Sequence, residues 1–179
     1  MATSSATELW DVLAREAADE STLWRETLLP VAEQERAPVF STLCDPAFAL
    51  AVETIYEGYL LHYGRPRLFA PGDGDTALLL GDYLYAHGLV RVAATGSTAA
   101  VRDLAELISL CSQARANGTN GDWAVWAATC AVLGKDLLDD ARAALRELGD
   151  PSALEHTARA AVEPGALEQT HAEHRRFTA

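Results

Sequence analysis

Two arginines near the middle of the chain are the first candidates for binding a ligand. Arg65 and Arg67 flank Pro66 in the segment RPRLFAPGDGD, whose proline and glycine content predicts a loop. A pair of guanidinium groups suits a phosphate or a carboxylate, because each presents a planar fork of donors. The same pair also fits a solvated surface or a contact with a partner protein, and the sequence leaves these alternatives open.

Asp82 lies inside the most apolar stretch of the chain, which runs from Asp75 to Thr95. Apolar residues fall on every side of a helical wheel there, so we expect the central, fully buried helix of a bundle. A carboxylate buried in such a helix must be paired or hydrogen-bonded, because burying it alone is costly. We therefore interpret Asp82 as a group that fixes helix register, in preference to a ligand-binding group.

His171 and His174 are the candidate metal ligands near the C-terminus. Side chains three residues apart share a helix face, and Glu168 and Glu173 flank the pair. Two histidines are fewer than the three or four ligands that a metal site needs, so the signal is weak. No serine, cysteine and histidine set has the spacing of a nucleophilic site, and we expect no catalytic residue and no cofactor.

Sequence signals for helix starts and stops predict the helices on which the candidate residues lie. Ser5 and Glu8 match a capping box before a first amphipathic helix. Asp45-Pro46 predicts the start of another helix, because Asp is a good N-cap and Pro is tolerated at the first helical position. Its apolar face ends at Gly64, a plausible C-terminal stop.

The second half of the chain continues the helical pattern. An apolar stripe from Trp123 to Leu148 predicts one long helix ended by Gly149, and Asp150-Pro151 begins a shorter one. We predict an all-α, single-domain helical bundle of about six to eight helices over residues 1–162. Residues 163–179 are expected to form a polar C-terminal tail, either frayed or docked onto a neighbour.

The net charge limits the kinds of partner that the chain could bind, and the cysteines and the N-terminal segment indicate its cellular compartment. A formal net charge of −12 argues against nucleic acid and anionic membrane surfaces, so a neutral or basic protein partner fits better. No stretch is apolar and long enough to predict a membrane span. Cys44, Cys111 and Cys130 lack metal spacing and are expected to be reduced. The first twenty residues lack a signal-peptide pattern, so a cytoplasmic protein is expected.

Residues from about Ala51 to Ala116 resemble the all-trans polyprenyl diphosphate synthases. In that family a leucine and a histidine precede an aspartate-rich DDxxD motif, an RRGxP-type loop follows, and the next helix carries a GDYL-like segment. Here Leu61-His62, Gly64-Arg65-Pro66 and the segment GDYL at 81–84 occupy those places in the same order. The resemblance implies a truncated, isoprenoid-synthase-like helical fold.

This sequence departs from the family where its members bind metal. Only Tyr63 and Gly64 separate His62 from Arg65, so the first aspartate-rich motif is missing, and no second DDxxD occurs downstream. In the family those carboxylates hold the magnesium ions that bind the allylic diphosphate. The resemblance therefore implies a non-catalytic relative, similar to the small component of heptaprenyl diphosphate synthase.

The resemblance also implies roles for individual residues and for partners. Arg65 and Arg67 would be remnants of the loop on the diphosphate side, and Tyr83 and Tyr85 would pack at a cavity or an interface. The leading hypothesis is a non-catalytic subunit or pseudoenzyme that works by pairing with another chain, either a catalytic synthase subunit or a second copy. Two alternatives remain: an accessory or assembly subunit of a complex unrelated to isoprenoids, and a carrier that binds an isoprenoid or lipid between its helices.

Overall fold

The computed structural model describes the backbone of residues 2–178 and the side chains of residues 8–178. Its architecture confirms the all-α, single-domain prediction. The described residues form nine α-helices: α1 (Ala2–Glu20), α2 (Thr22–Glu26), α3 (Ala49–Tyr63), α4 (Gly74–Ala93), α5 (Thr98–Ala116), α6 (Asp122–Ala131), α7 (Asp139–Leu148), α8 (Ser152–Ala161) and α9 (Pro164–Thr178). Among these helices, none has the length and apolar content needed to cross a bilayer.

A side-chain cap lies at Asp45, where the sequence predicts a helix start, and a second cap begins α5. Asp45 accepts a hydrogen bond from the amide of Ala47 at the 3-10 turn that leads into α3, and Gly64 ends α3. Ser97 caps α5 by accepting a bond from the amide of Ala100. The capping box predicted at Ser5 does not mark the start of α1, because this helix begins at Ala2, and the side chain of Ser5 lies outside the described residues.

The most completely buried helices among the described residues are α3 and α6, and the prediction that α4 is the fully buried central helix is wrong. Every residue of α3 from Ala51 to Leu61 is buried. In α4 one face is buried, through Leu80, Leu84 and Val92 together with two glycines, while the opposite face is open to solvent. Apolar residues on all sides of a helix predict that every face is buried. The pattern does not show whether the residues that bury each face belong to the same chain.

Close contact between α3 and α4 depends on glycine. A Cβ added at Gly88 of α4 would lie 2.4 Å from Cγ1 of Ile55 and 3.1 Å from the carbonyl oxygen of Ala51, both on α3. One at Gly58 of α3 would lie 2.9 Å from the carbonyl oxygen of Gly81. The two helices therefore approach at a distance that a larger residue at these positions would prevent.

The predicted long helix from Trp123 to Leu148 is two helices, so that prediction is wrong. Between α6 and α7 the backbone takes positive φ values at Gly134 (78°) and Asp136 (55°), which an α-helix excludes. The amide of Gly134 donates to a carboxylate oxygen of Asp103 on α5, which fixes this connection against the bundle. This break is one reason why the helices outnumber the prediction.

Two apolar clusters hold the helices together. The larger one contains residues of α3, α5, α6, α7, α8 and α9, together with Val92 of α4. The smaller one joins α1 and the loop after α3 to α4, and consists of Trp10, Leu13, Ala17, Leu61, Leu68, Phe69, Leu80 and Leu84. The irregular segments at Leu28 and Phe69 run antiparallel beside this smaller cluster as an isolated pair of bridged residues.

The segment predicted as a polar tail forms α9, which packs on the main cluster. Leu167, Thr170, His174 and Phe177 are buried, and their spacing of three and four residues places them on one face. The segment is therefore a helix on the core of its own chain, which differs from both predicted arrangements, a frayed tail and a tail docked onto a neighbour. The surface onto which α9 docks belongs to the same chain.

Candidate functional site

Arg67 lies in the predicted loop after α3, but its side chain is buried, so its interpretation as an arginine that could bind a phosphate is wrong. Its side chain has 0% exposure, and its guanidinium lies over the rings of Trp10 (4.6 Å) and Tyr56 (4.9 Å). Nη1 donates to Oε2 of Glu53 at 2.6 Å, and Nε donates to Oε2 of Glu57 at 2.9 Å. A guanidinium with two carboxylate partners inside the core holds the fold and has no access to a ligand.

The two glutamates also organise the irregular chain around α3. Oε1 of Glu53 accepts bonds from the amides of Val39 and Ser41, and Oε1 of Glu57 accepts bonds from the amides of Arg67 and Leu68. Each carboxylate therefore satisfies two backbone donors that belong to no helix. The cluster fixes both loops in place, because buried amides need such partners.

Arg65 lies at the surface, and its side chain contacts a different set of residues from the set that Arg67 contacts. Its guanidinium is hydrogen-bonded to Glu35, which is also 2.8 Å from Arg176, and it lies 5.1 Å from the centre of the Phe177 ring. The hydrogen bond from Arg65 holds the pKa of Glu35 below its ordinary value. The structure therefore does not bring Arg65 and Arg67 together as one anion-binding fork.

Asp82 is exposed, which corrects its interpretation as a buried carboxylate. Its side chain is 66% exposed, and Oδ1 lies 3.3 Å from Nε2 of His62 on α3. Burial lowers the pKa of His62, with Asp82 opposing that shift. The contact links α3 to α4 at the surface, and Asp82 belongs to the open face of α4.

Tyr83 and Tyr85 lie on different sides of α4. The Tyr83 ring packs beside Trp24 and His87, toward α1 and α2, at centroid distances of 5.9 and 5.3 Å. The Tyr85 ring stacks on His62 at 5.0 Å, toward α3. Both side chains are half-buried, so both contribute to packing within this chain and neither belongs to the open face.

The open face of α4 carries an apolar stripe. It consists of Leu78, Leu79, Ala86 and Val90, with Asp82 in its middle, and we call these five residues the α4 stripe. Leu78, Leu79 and Val90 are exposed by 54%, 56% and 65%. Asp82, Ala86 and Val90 follow Leu79 by three, seven and eleven residues, and Leu78 precedes Asp82 by four, so the five side chains share one face of the helix. Exposed apolar side chains that share one helix face are a candidate interaction surface, and here the exposed carboxylate of Asp82 lies between them.

His171 and His174 do not share a ligand-binding arrangement. His174 is buried, and its Nδ1 lies 3.0 Å from the hydroxyl of Tyr56, whereas His171 is exposed and packs against the ring of Trp123 at 4.6 Å. Burial lowers the pKa of His174 to about 3, with Arg115 and His171 adding to the effect. Within residues 8–178 the His, Cys, Asp and Glu side chains form no group of three or more that could hold a metal ion.

The three cysteines have no disulfide partner within the described chain. Cys111 and Cys130 are buried and Cys44 is half-buried. Burial raises the pKa of all three thiols, that of Cys44 to about 12. Each thiol therefore stays protonated at neutral pH, which disfavours a role as nucleophile.

A polar network that the sequence analysis missed lies between α3, α5 and α6. The hydroxyl of Tyr59 donates to Oδ2 of Asp122 at 2.5 Å and accepts from Nη2 of Arg115 at 2.7 Å, while Nε of Arg115 bonds the same Oδ2. Burial, reinforced by Asp122, raises the pKa of Tyr59. The available signal was the position of Asp122, four residues before the buried Trp126 and so on the same helix face.

Comparison with known proteins found no match to a protein family, a curated protein or a solved structure.

Proposed function

We propose that this chain is a non-catalytic helical subunit related to the polyprenyl diphosphate synthases, and that it acts by pairing with a second protein chain through the α4 stripe. The observation that carries the proposal is the exposure of Leu79 and Val90 on a helix whose opposite face is buried. Because large apolar side chains in a line are unfavourable in water, a partner surface that covers them would stabilise the pair.

The location of the stripe supports a partner of the synthase type. The stripe lies in the segment that resembles the synthases, and the matching motifs lie together: a Cβ at Gly81 would be 2.5 Å from Nε2 of His62, which contacts Asp82. The missing aspartate-rich motif supports the non-catalytic part of the proposal. A partner chain that carries both DDxxD motifs would supply the metal-binding carboxylates that this sequence lacks.

The charge of the chain favours a protein partner with a neutral or basic rim. The net charge is −12, and Asp82 places one carboxylate in the middle of the stripe. A lysine or arginine of the partner opposite Asp82 would improve the fit and speed the encounter. Self-pairing would bring two strongly acidic chains together, so a different chain is the favoured partner.

Affinity capture from the native host tests the pairing. We expect the tagged wild-type chain to retain a polyprenyl synthase subunit, and we expect Leu79→Glu to lose it, because a buried charge opposes association. Leu148→Glu is the matched control: Leu148 is 79% exposed at the end of α7, away from the stripe. Capture of an unrelated assembly through α4 would instead support the alternative of an accessory subunit.

An activity assay tests the non-catalytic part separately. The purified chain is incubated with an allylic diphosphate, isopentenyl diphosphate and Mg²⁺. We expect no chain elongation by the chain alone. Elongation by the pure protein, abolished by a chelator, would contradict the proposal even if a partner were captured.

A further inference from the structure

The turn between α5 and α6 contains both asparagines of the chain, Asn117 and Asn120, and a glycine follows each of them. An asparagine followed by glycine loses its side-chain amide more readily than other asparagines, because glycine has no Cβ to hinder attack by its own backbone nitrogen. The two pairs lie three residues apart but differ in conformation. One of them therefore serves as an internal control for the other.

The reaction needs only the chain and water. The backbone nitrogen of the glycine attacks Cγ of the asparagine, so a new C–N bond forms and the Cγ–Nδ2 bond breaks. The side-chain nitrogen leaves as ammonia together with the proton of the attacking amide. Water then opens the cyclic imide at one of its two carbonyl groups. The product is aspartate, or isoaspartate, in which the backbone continues through the side-chain carboxyl group.

Asn117 is held in a conformation that opposes this reaction. It is the C-cap of α5, with φ −85° and ψ −4°, and the amide of Gly118 donates to the carbonyl oxygen of Arg115 at 3.2 Å. The next amide, that of Thr119, donates to the carbonyl oxygen of Ala114 at 2.8 Å. Ring closure requires rotation about the Cα–C bond of the asparagine, away from helical values. This rotation would break both hydrogen bonds, which carries a free-energy cost.

Asn120 lies in irregular backbone, and its side chain is exposed. The amide of Gly121 donates to no backbone carbonyl among the described residues. The first hydrogen bond of α6 runs from the amide of Val125 to the carbonyl oxygen of Gly121, at 3.0 Å. Because this bond uses the carbonyl and leaves the amide free, the nitrogen of Gly121 can turn toward Asn120 with α6 still formed.

We propose that Asn120 is a site of spontaneous deamidation and that Asn117 is protected. The nitrogen of Gly121 attacks Cγ of Asn120, ammonia leaves, and water gives aspartate or isoaspartate at position 120. Each event adds one negative charge to a chain whose net charge is already −12. The inference does not depend on pairing through α4, because no residue of the α4 stripe takes part.

The modification changes the surface at the start of α6. Asn120 lines the same cleft as Arg115 and Asp122, which form an ion pair there. An added carboxylate lies near the N-terminal end of α6, whose partial positive charge stabilises an acid. Isoaspartate also lengthens the backbone by one methylene group directly before Gly121, the N-cap. Modified chains are therefore a more acidic form of the protein that accumulates with age.

Peptide mapping by mass spectrometry tests the proposal on the full chain. The purified protein is incubated at pH 8 in water enriched in ¹⁸O, so that each hydrolysed imide takes up the label. We expect the label to accumulate at position 120 at least an order of magnitude faster than at position 117. In urea, where both conformations are lost, the two rates should become similar.

The unfolded chain makes either failure of the proposal visible. Equal rates at the two positions of the folded chain would overturn it. So would the absence of label at position 120 of the folded chain over a period in which the chain in urea becomes labelled.

Two glutamine variants provide a second test. Glutamine keeps the amide, but attack by the next backbone nitrogen would close a six-membered ring, which forms more slowly. Both asparagines are exposed, so neither Asn120→Gln nor Asn117→Gln should unfold the chain. On isoelectric focusing of the aged intact protein, the wild-type chain and Asn117→Gln should show an added acidic band, and Asn120→Gln should not. A band that develops in Asn120→Gln at the wild-type rate would contradict the assignment.

Discussion

Nε of Arg67 lies 2.9 Å from Oε2 of Glu57, and both side chains are completely buried. This pair, completed by Glu53, lies where the smaller apolar cluster meets α3. Buried ions need their partners, since removal of one leaves the others without compensation in a medium of low dielectric constant. The cluster is therefore expected to control the stability of the whole chain.

Replacement of Arg67 should destabilise the protein far more than replacement of Arg65. Arg67→Met leaves two buried carboxylates unpaired, and we expect a loss of about 3–5 kcal/mol in the free energy of unfolding. Arg65→Met breaks an ion pair at the surface and should cost about 0–1 kcal/mol. Urea unfolding followed by circular dichroism measures both values.

If Arg67→Met does not fold, the variants Arg67→Lys and Arg65→Lys provide the same comparison. Lysine keeps the charge but cannot donate along both directions of the guanidinium fork. Arg67→Lys should therefore still lose more stability than Arg65→Lys. Similar losses at the two positions would contradict the structural role assigned to Arg67.

Alanine at Gly88 should separate α3 from α4. Its Cβ would lie 2.4 Å from Cγ1 of Ile55, so one helix must shift, and we expect a loss of about 1–3 kcal/mol, partly offset by the higher helix propensity of alanine. Gly74→Ala, at the start of the same helix with open space around it, is the control and should be neutral or slightly stabilising. Thermal unfolding distinguishes them, and a neutral Gly88→Ala would show that the helices are not this close.

The buried histidine should make stability depend on pH. The pKa of His174 in the folded chain is lowered to about 3 by burial, so between that value and its ordinary value of 6.5 the unfolded chain binds a proton that the folded chain does not. Stability from this group is therefore complete above pH 6.5 and falls as the pH decreases, by about 1.4 kcal/mol per pH unit.

Urea unfolding at pH 7.5 and 5.5 measures this effect. The wild-type chain should lose more stability on acidification than His174→Gln, whose side chain does not titrate in this range. His156→Gln removes an exposed histidine of α8 and should keep the wild-type pH dependence. An equal loss in the wild-type chain and in His174→Gln would place the titrating group elsewhere.

Local signals in the sequence were sufficient for the fold class and for several helix ends. Asp45 and Ser97 act through hydrogen bonds to amides only two or three residues away, so their roles can be read from the neighbouring residues. The break at Gly134 was harder to predict. The apolar stripe continues across it with helical spacing, and only the backbone conformation separates α6 from α7.

Burial depends on contacts between distant segments, which is why it was predicted less well. Arg67 looked like an exposed loop residue, because its partners Glu53 and Glu57 lie on the preceding helix. The spacing of four residues between these two glutamates on an apolar helix was a signal that they share a buried partner. On α9 the buried face includes Thr170 and His174, whose polar side chains hid the stripe from a count of apolar residues.

The same limit applies to the polar network of Tyr59, Arg115 and Asp122. Asp122 follows a glycine-rich turn and resembles an ordinary first-turn acid, and nothing local shows that Tyr59 and Arg115 lie against it. The network is formed by one residue each of α3, α5 and α6. A site assembled in this way has no linear motif.

Site-specific photo-cross-linking in the native host tests pairing through α4 most directly. A photoreactive amino acid replaces Leu79 in one strain and Leu148 in a control strain, and the cross-linked products are identified by mass spectrometry. We predict that position 79 links the chain to a polyprenyl diphosphate synthase subunit and that position 148 does not. Absence of any product from position 79, or the same products from both positions, would contradict the account.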